Sequence, residues 1–345
     1  MDNNNDNKET NTINNTQLFT RNHIIVILAV ICTLLWGSAF PSVKIGYKLF
    51  HIISGDIPSY ILFAGIRFFI AGILTLLLCY VLKLDTSLRS FTDVRNNYFH
   101  KDFIIKGCVL AFTLTFFQYI CFYVGLAYAS SVNGSIINAS STIFTVILSF
   151  IFFKSDKVSG YKILGILLSF TGIVVVTLRD IGSIKELSNI TNFISSSTSN
   201  GNVGMSLHGE GLLLIAALSF AIGTVFSKKY AYVYNPATLT GFQLSVGGLF
   251  LIIVGIILGG KLTVDSYKPV LLLAYLSILS SVAFTLWTIL LKYNKASKIA
   301  IYNSLTPVFG VILSGIFLGE NIISVPVIAA LILACGGIIL MNIEK

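Results

Sequence analysis

Charge is what this sequence has least of. Asp, Glu, Lys and Arg make up 11% of 345 residues, against roughly 25% in an average soluble domain. So little charge cannot cover a globule of this length with a hydrated surface, which excludes an ordinary soluble protein. Acids are the scarcer sign, 14 against 23 Lys and Arg, and there are only four histidines. All of these acids and histidines fall in tails, loops or at the ends of apolar runs. No carboxylate or imidazole relay therefore crosses the middle of a bilayer. Paired intramembrane aspartates, HExxH, a Walker loop and GxSxG are all missing, so the chain does not read as an enzyme. The five cysteines form no CxxC and no Cys/His cluster, which excludes a disulfide framework and a metal site. Nothing in the sequence requires a cofactor. The net charge of +9 gathers into no stripe or patch, so nucleic acid is excluded as a partner.

What fills the chain instead is apolar: 55% of positions. Long runs recur at 24–43, 60–82, 104–128, 133–153 and 160–178, then at 210–228, 237–259, 269–291, 298–318 and 325–343. Each is long enough to cross roughly 30 Å of hydrocarbon at about 1.5 Å per residue. Inside hydrocarbon every backbone polar group must be satisfied within the segment, so the runs are predicted to be helices; barrel-like alternation is absent. The expected fold is all-α, a polytopic membrane protein of ten transmembrane helices. Residues 1–23 are Asn-rich and predicted to be a disordered tail. Residues 179–209 hold the Ser/Asn-rich run from Ser188 to Asn202 and read as an external linker between the halves 24–178 and 210–343. With the N-terminus inside, 16 Lys and Arg fall on the inner side and six on the outer, and Arg67 inside a span completes the 23. The positive-inside rule then predicts a multi-pass cell-membrane protein with both termini cytoplasmic.

Compared with itself, the chain repeats. Residues 138–173 laid on 303–338 match at 13 of 36 positions without a gap, including Asn138 on Asn303 and Val146–Ser149 on Val311–Ser314. Chance in sequence of this composition gives roughly three or four. Weaker pairings set Trp36 on Phe220, Lys44 on Lys228, Arg67 on Gln243 and Gly72 on Gly248. Five helices is an odd number, so the second copy crosses in the opposite sense. Two inverted repeats frame a central site that can open to either side.

The order Trp36-Gly37-Ser38-Ala39-Phe40 with Lys44, Ile66-Arg67-Phe68, Leu305-Thr306-Pro307-Val308-Phe309, Leu318-Gly319-Glu320 and Gly336-Gly337 resembles the EamA family of the drug/metabolite transporter superfamily. The resemblance spans about residues 24–343 and implies a permease or exporter of small metabolites such as amino acids, with a cavity between the halves. The pattern is complete only in the second repeat: the first has Thr142 where the second has Pro307, and Ser155-Asp156 where it has Glu320-Asn321.

The candidate substrate-binding residues are Trp36, Arg67, Gln118, Asn138, Thr142, Trp287, Asn303 and Pro307. A guanidinium deep in a span costs at least about 2.5–3.5 kcal/mol, so Arg67 must face protein, water or a ligand. It either shapes the bundle or touches substrate. Asn138 and Asn303 each head a face of small polar residues, suited to close helix packing or to a polar ligand. Pro307 frees a backbone carbonyl. Trp36, Gln118 and Trp287 place N–H or amide groups where only protein, water or ligand can meet them. Lys44 and Lys228 are expected to snorkel to the interface. Glu210 and Glu320 read either as solvated helix-end acids or as proton carriers. Of the two, Glu320 is the better carrier because it follows a helix C-terminus. The expected partners are a small-molecule substrate and the lipid bilayer. A receptor or scaffold that has kept the bundle without transporting is the alternative, with a channel third.

Overall fold

The computed structural model describes residues 19–82, 84–85, 98, 100–152, 160–179, 209–303 and 305–341. The tail and linker fall almost wholly on 1–18 and 180–208, outside the described residues, as do Ser155 and Asp156. The described residues form helices and turns, and no strand.

The first repeat holds α1 (Asn22–Leu49), α2 (Ile57–Val81), α3 (Lys101–Tyr128), α4 in two pieces (Ser131–Ile137 and Ser140–Phe152) and α5 (Gly160–Arg179). The second holds α6 (Glu210–Ala231), α7 (Pro236–Ile257), α8 (Tyr267–Tyr293), α9 (described over Ala296–Asn303 and Leu305–Leu318) and α10 (Val325–Met341). Seven spans exceed what a bilayer needs by length and hydropathy, α4 counted whole; the three with shorter apolar stretches are α5, α9 and α10. Helix starts are written locally. Asp56 accepts from the Ser59 amide at 3.3 Å at the head of α2, and Asn235 accepts from Ala237 at 2.9 Å at the head of α7. Both helices carry a proline in the first turn, where its missing N–H costs nothing. Within α3, Ala111–Phe116 is wound as a π-helix.

The helices pack as a pseudo-two-fold pair. α2 lies along α7 and α5 along α10, each against its own counterpart. α1 packs on α8 and α9, while α6 packs on α3 and α4, the same contacts with the halves exchanged. The symmetry extends to single atoms. A Cβ on Gly172 would lie 2.7 Å from the Ala330 carbonyl oxygen and the Ala334 amide, and one on Gly337 2.5 Å from the Gly165 oxygen and 2.6 Å from the Ser169 amide. Adding 165 to one set of residue numbers gives the other. In α2 and α7 the relation is a shift of 176: Gly72 meets Ser245, and Gly248 meets Phe69. Lacking a Cβ, these glycines bring backbones together where dispersion substitutes for the hydrophobic drive that lipid cannot supply. The chain is thus built as two inverted five-helix repeats.

Outward faces are greasy, with Ile73, Leu77, Leu167, Ile256, Ile278 and Ile316 exposed. Polar side chains turn inward: Arg67, Thr75, Gln118, Gln243, Ser280 and Asn303 are all buried. This is the arrangement a hydrocarbon solvent selects. Two lysine and glutamate expectations are corrected here. Lys228 does not snorkel; it is buried and donates to the Asn294 carbonyl at 2.8 Å, where α8 ends. Glu210 is buried as well, so it is not a solvated loop acid.

Candidate functional site

The polar face of α4 meets a break in its helix. In α4 the backbone steps through short-range bonds, Ala139 N to Ile136 O and Ser141 N to Asn138 O, each at 3.0 Å, and Asn138 sits on the step. α9 carries Asn303 one turn before Pro307. Pro307 lacks the N–H that would reach the Asn303 carbonyl. It is buried and is not among the residues lining the cavity.

Between the halves lies a cavity of about 40 Å³, room for about three waters. Its wall takes Trp36 from α1, Arg67 from α2, Gln118 and Tyr119 from α3 and Asn138 from α4, with Phe220 from α6 and Asn303 from α9. A smaller space of about 10 Å³ adjoins it, sharing Phe220 and Asn303 and bounded by Thr142, Thr145, Thr224 and Trp287. The structure therefore brings seven of the eight candidate residues to these two spaces and leaves Pro307 behind them. Trp36 joins the two: its ring lies 4.9 Å from Trp287, 5.6 Å from Phe284 and 5.8 Å from Phe220, all edge-on.

Several polar atoms here have no hydrogen-bond partner among the described residues: Nε1 of Trp36, Nε1 of Trp287 and Oε1 of Gln118. Such atoms are costly in a dry interior and mark places for water or ligand. Asn303 is better served. Its Nδ2 donates to Ser141 Oγ at 3.2 Å and Thr142 Oγ1 at 3.0 Å, and its Oδ1 accepts from Thr306 at 3.0 Å. One side chain of the second repeat thus grips α4 of the first. The Asn138 amide makes no equivalent bond among the described residues, so the duplicated pair has diverged.

Arg67 is 1% exposed and held on one side only. Its Nε donates to the Leu276 carbonyl at 3.2 Å and Ser280 Oγ at 3.0 Å, and Nη1 donates to Tyr123 OH at 2.8 Å. Ser277 Oγ donates to the Arg67 carbonyl, and the guanidinium stands 4.7 Å over the Phe68 ring. Neither Ser280 nor Tyr123 stands out by composition or spacing as a partner for Arg67.

Beside the cavity α1, α4 and α9 pack closely. A Cβ on Gly37 would meet Phe309 Cβ at 2.6 Å and Gly310 N at 2.9 Å. Ser131 Oγ donates to the carbonyl of Phe40, itself a cavity residue, at 3.3 Å. Above them Glu320 accepts the amides of Ser131 at 3.1 Å and Val132 at 2.8 Å. Glu320 thus lies against the positive end of α4 instead of standing free after α9, and its carboxylate fastens the two helices together.

With this geometry in hand, similarity to known proteins decides the family. The EamA-like transporter family matches over residues 23–178 and 207–343. The chain belongs to it. Among its relatives, the uncharacterised transporter YoaV of Bacillus subtilis is 26% identical over 320 residues, covering 92% of this chain and 96% of the relative. An uncharacterised transporter of Archaeoglobus fulgidus is 28% identical over 62% of this chain and 68% of its own. A WAT1-related chloroplastic protein of Arabidopsis thaliana is 29% identical over 60% of this chain and 47% of its own. A solved crystal structure at 16% identity superposes with a TM-score of 0.61 over 93% of this chain and 96% of that one, a likeness of fold. This EamA-like protein is a multi-pass membrane protein of a transporter family.

Proposed function

We propose that the protein is a secondary carrier that moves small polar metabolites, amino acids among them, by alternating access between its two inverted repeats. The observation that carries this reading is the central cavity, whose polar wall comes from α1 to α4 of one repeat and from α6 and α9 of the other. A scaffold has no need of unpartnered polar atoms at the meeting point of two halves; a carrier needs groups that exchange water for solute. Trp36, Arg67, Gln118, Asn138 and Asn303 contact the solute, with Thr142 and Trp287 lining the adjoining space. Pro307 acts from behind, by withholding a backbone N–H from α9.

The lysine and arginine asymmetry supports a cell-membrane protein with both termini in the cytoplasm. On that orientation the Glu320 fastening is the outer gate. A reporter fused after Lys345 reads cytoplasmic and one inserted at Ser196 reads external; cytoplasmic signals from both contradict the orientation. Transport itself is tested in proteoliposomes loaded with a metabolite mixture. Saturable uptake that accelerates under counterflow supports a carrier. Flux that rises linearly with concentration indicates a channel, and no flux or binding across a broad panel indicates the receptor or scaffold.

A further inference from the structure

The carrier reading leaves open what kind of solute the cavity selects, and Arg67 bears on that directly. A guanidinium carries five N–H donors. Here Nε and one hydrogen of Nη1 are engaged, by Leu276, Ser280 and Tyr123. Both hydrogens of Nη2 and the second of Nη1 have no hydrogen-bond partner among the described residues. The ion pairs among those residues are His51 with Asp265 and Lys106 with Asp102, neither of which involves Arg67. No acid lines the cavity or the space beside it. The site is therefore a buried, oriented cation without a counter-charge. Its bound edge is turned to α3 and α8, and its free donors belong to the terminal fork that matches a carboxylate with two parallel bonds.

The rest of the wall narrows the class. Trp36, Phe40, Tyr119, Phe122 and Phe220 supply flat apolar surface, and Gln118 Oε1 is an unpartnered acceptor. An organic cation would meet like charge and no carboxylate. Resting on the carrier reading, in which the halves part and the cavity widens to admit solute, we propose that the cavity selects small organic carboxylates, that Arg67 binds the carboxylate end-on, and that the aromatic wall takes an apolar body. Zwitterions are admitted because Gln118 can accept from an ammonium group. Amines and other net cations are excluded.

The protein carries its own reporter for this. Its only two tryptophans are Trp36 and Trp287, both at these spaces and 4.9 Å apart. The full chain in nanodiscs, excited selectively at tryptophan, is titrated with 3-methylbutanoate, 3-methylbutanamide and 3-methylbutylamine. These share one carbon skeleton and do not absorb there. Leucine and leucinamide form a second pair, and chloride and phosphate are the inorganic anions. The expected result is a saturable emission change with 3-methylbutanoate and leucine, and none with the amine. The amides bind weaker by about tenfold or more, the loss expected when a charged hydrogen-bonding group is removed. Arg67→Gln removes the preference for acid over amide, and Arg67→Lys restores part of it. If Arg67→Gln does not fold, the wild-type series still decides.

Equal binding of acid and amide overturns the proposal, as does binding of the amine, silence from every compound, or chloride matching the carboxylate. The failure of the carrier reading looks different. Carboxylate-selective binding with no flux in liposomes removes the carrier and leaves the selectivity, whereas saturable flux of amines does the reverse.

Discussion

Replacing Glu320 with Gln probes the end of the bundle where α9 meets α4. In the native chain one carboxylate oxygen takes the Ser131 amide at 3.1 Å and the other the Val132 amide at 2.8 Å. Glutamine keeps one acceptor oxygen, so one bond is lost and the other becomes neutral. A hydrogen bond to a charged group contributes about 1.5–3 kcal/mol and a neutral one about 1 kcal/mol. The charge's attraction to the positive end of α4 adds about 0.3–1 kcal/mol. Because the contact is only part-buried, the lower end of these ranges applies, and the net loss is about 2 kcal/mol. That is about a thirtyfold change in the ratio of fastened to unfastened ends. Hydrogen exchange reads it directly. The amides of Ser131 and Val132 should exchange about tenfold to thirtyfold faster in Glu320→Gln, and faster still in Glu320→Ala, while α2 and α7 keep their protection. Unchanged exchange at Ser131 and Val132 would refute the fastening, and loss of protection throughout would show a general defect of folding.

Three further outcomes follow from other parts of the bundle. Gly337→Leu forces a side chain onto the backbone of α5, so it should lower thermal stability by more than the 1–3 kcal/mol of an ordinary overpacked site; an unshifted melting curve contradicts the α5–α10 contact. Asn303→Leu removes two donors to α4 and one acceptor and should cut transport or binding at least about tenfold while the chain still inserts; unaltered activity places Asn303 in packing alone. The third is a pH effect. The Asp265 carboxyl is held below its ordinary value of 3.8, chiefly by its hydrogen bond to His51 at 2.8 Å. What the pair contributes is present above the ordinary carboxylate value and lost as pH falls through the lowered one. The melting difference between wild type and Asp265→Asn should therefore narrow from pH 6 to pH 3, and one that widens is against the pairing.

The division of the chain into helices and the equivalence of its halves are legible because hydrocarbon allows a single local solution and because duplication leaves identical residues in register. Gly72 and Gly248 show how far this goes: matched in the sequence, they occupy equivalent crossings in the fold. Reading fails where a residue's partner comes from the other repeat at a position of no special composition. Ser280, which orients Arg67, is one of three serines on α8. Lys228 resembled any lysine near a helix end until the α8 terminus was seen to supply a carbonyl for it. Glu320 was ranked by the helix it follows, whereas the helix start it faces decides what it does. The candidate site was reachable because an amide, an indole or a guanidinium deep in a span has few places to go. Its unequal use of Asn138 and Asn303 was not, since identical residues in a repeat carry no record of later divergence.

The proline in α9 has a consequence for speed. A continuous helix bending in hydrocarbon must strip a carbonyl of its partner during the motion, and that loss adds to the height of the barrier. In α9 the Asn303 carbonyl has no N–H to lose at residue 307, which is proline. On the carrier proposal, a bend at this point adds no rupture of its own, and a residue that cannot donate quickens each turnover.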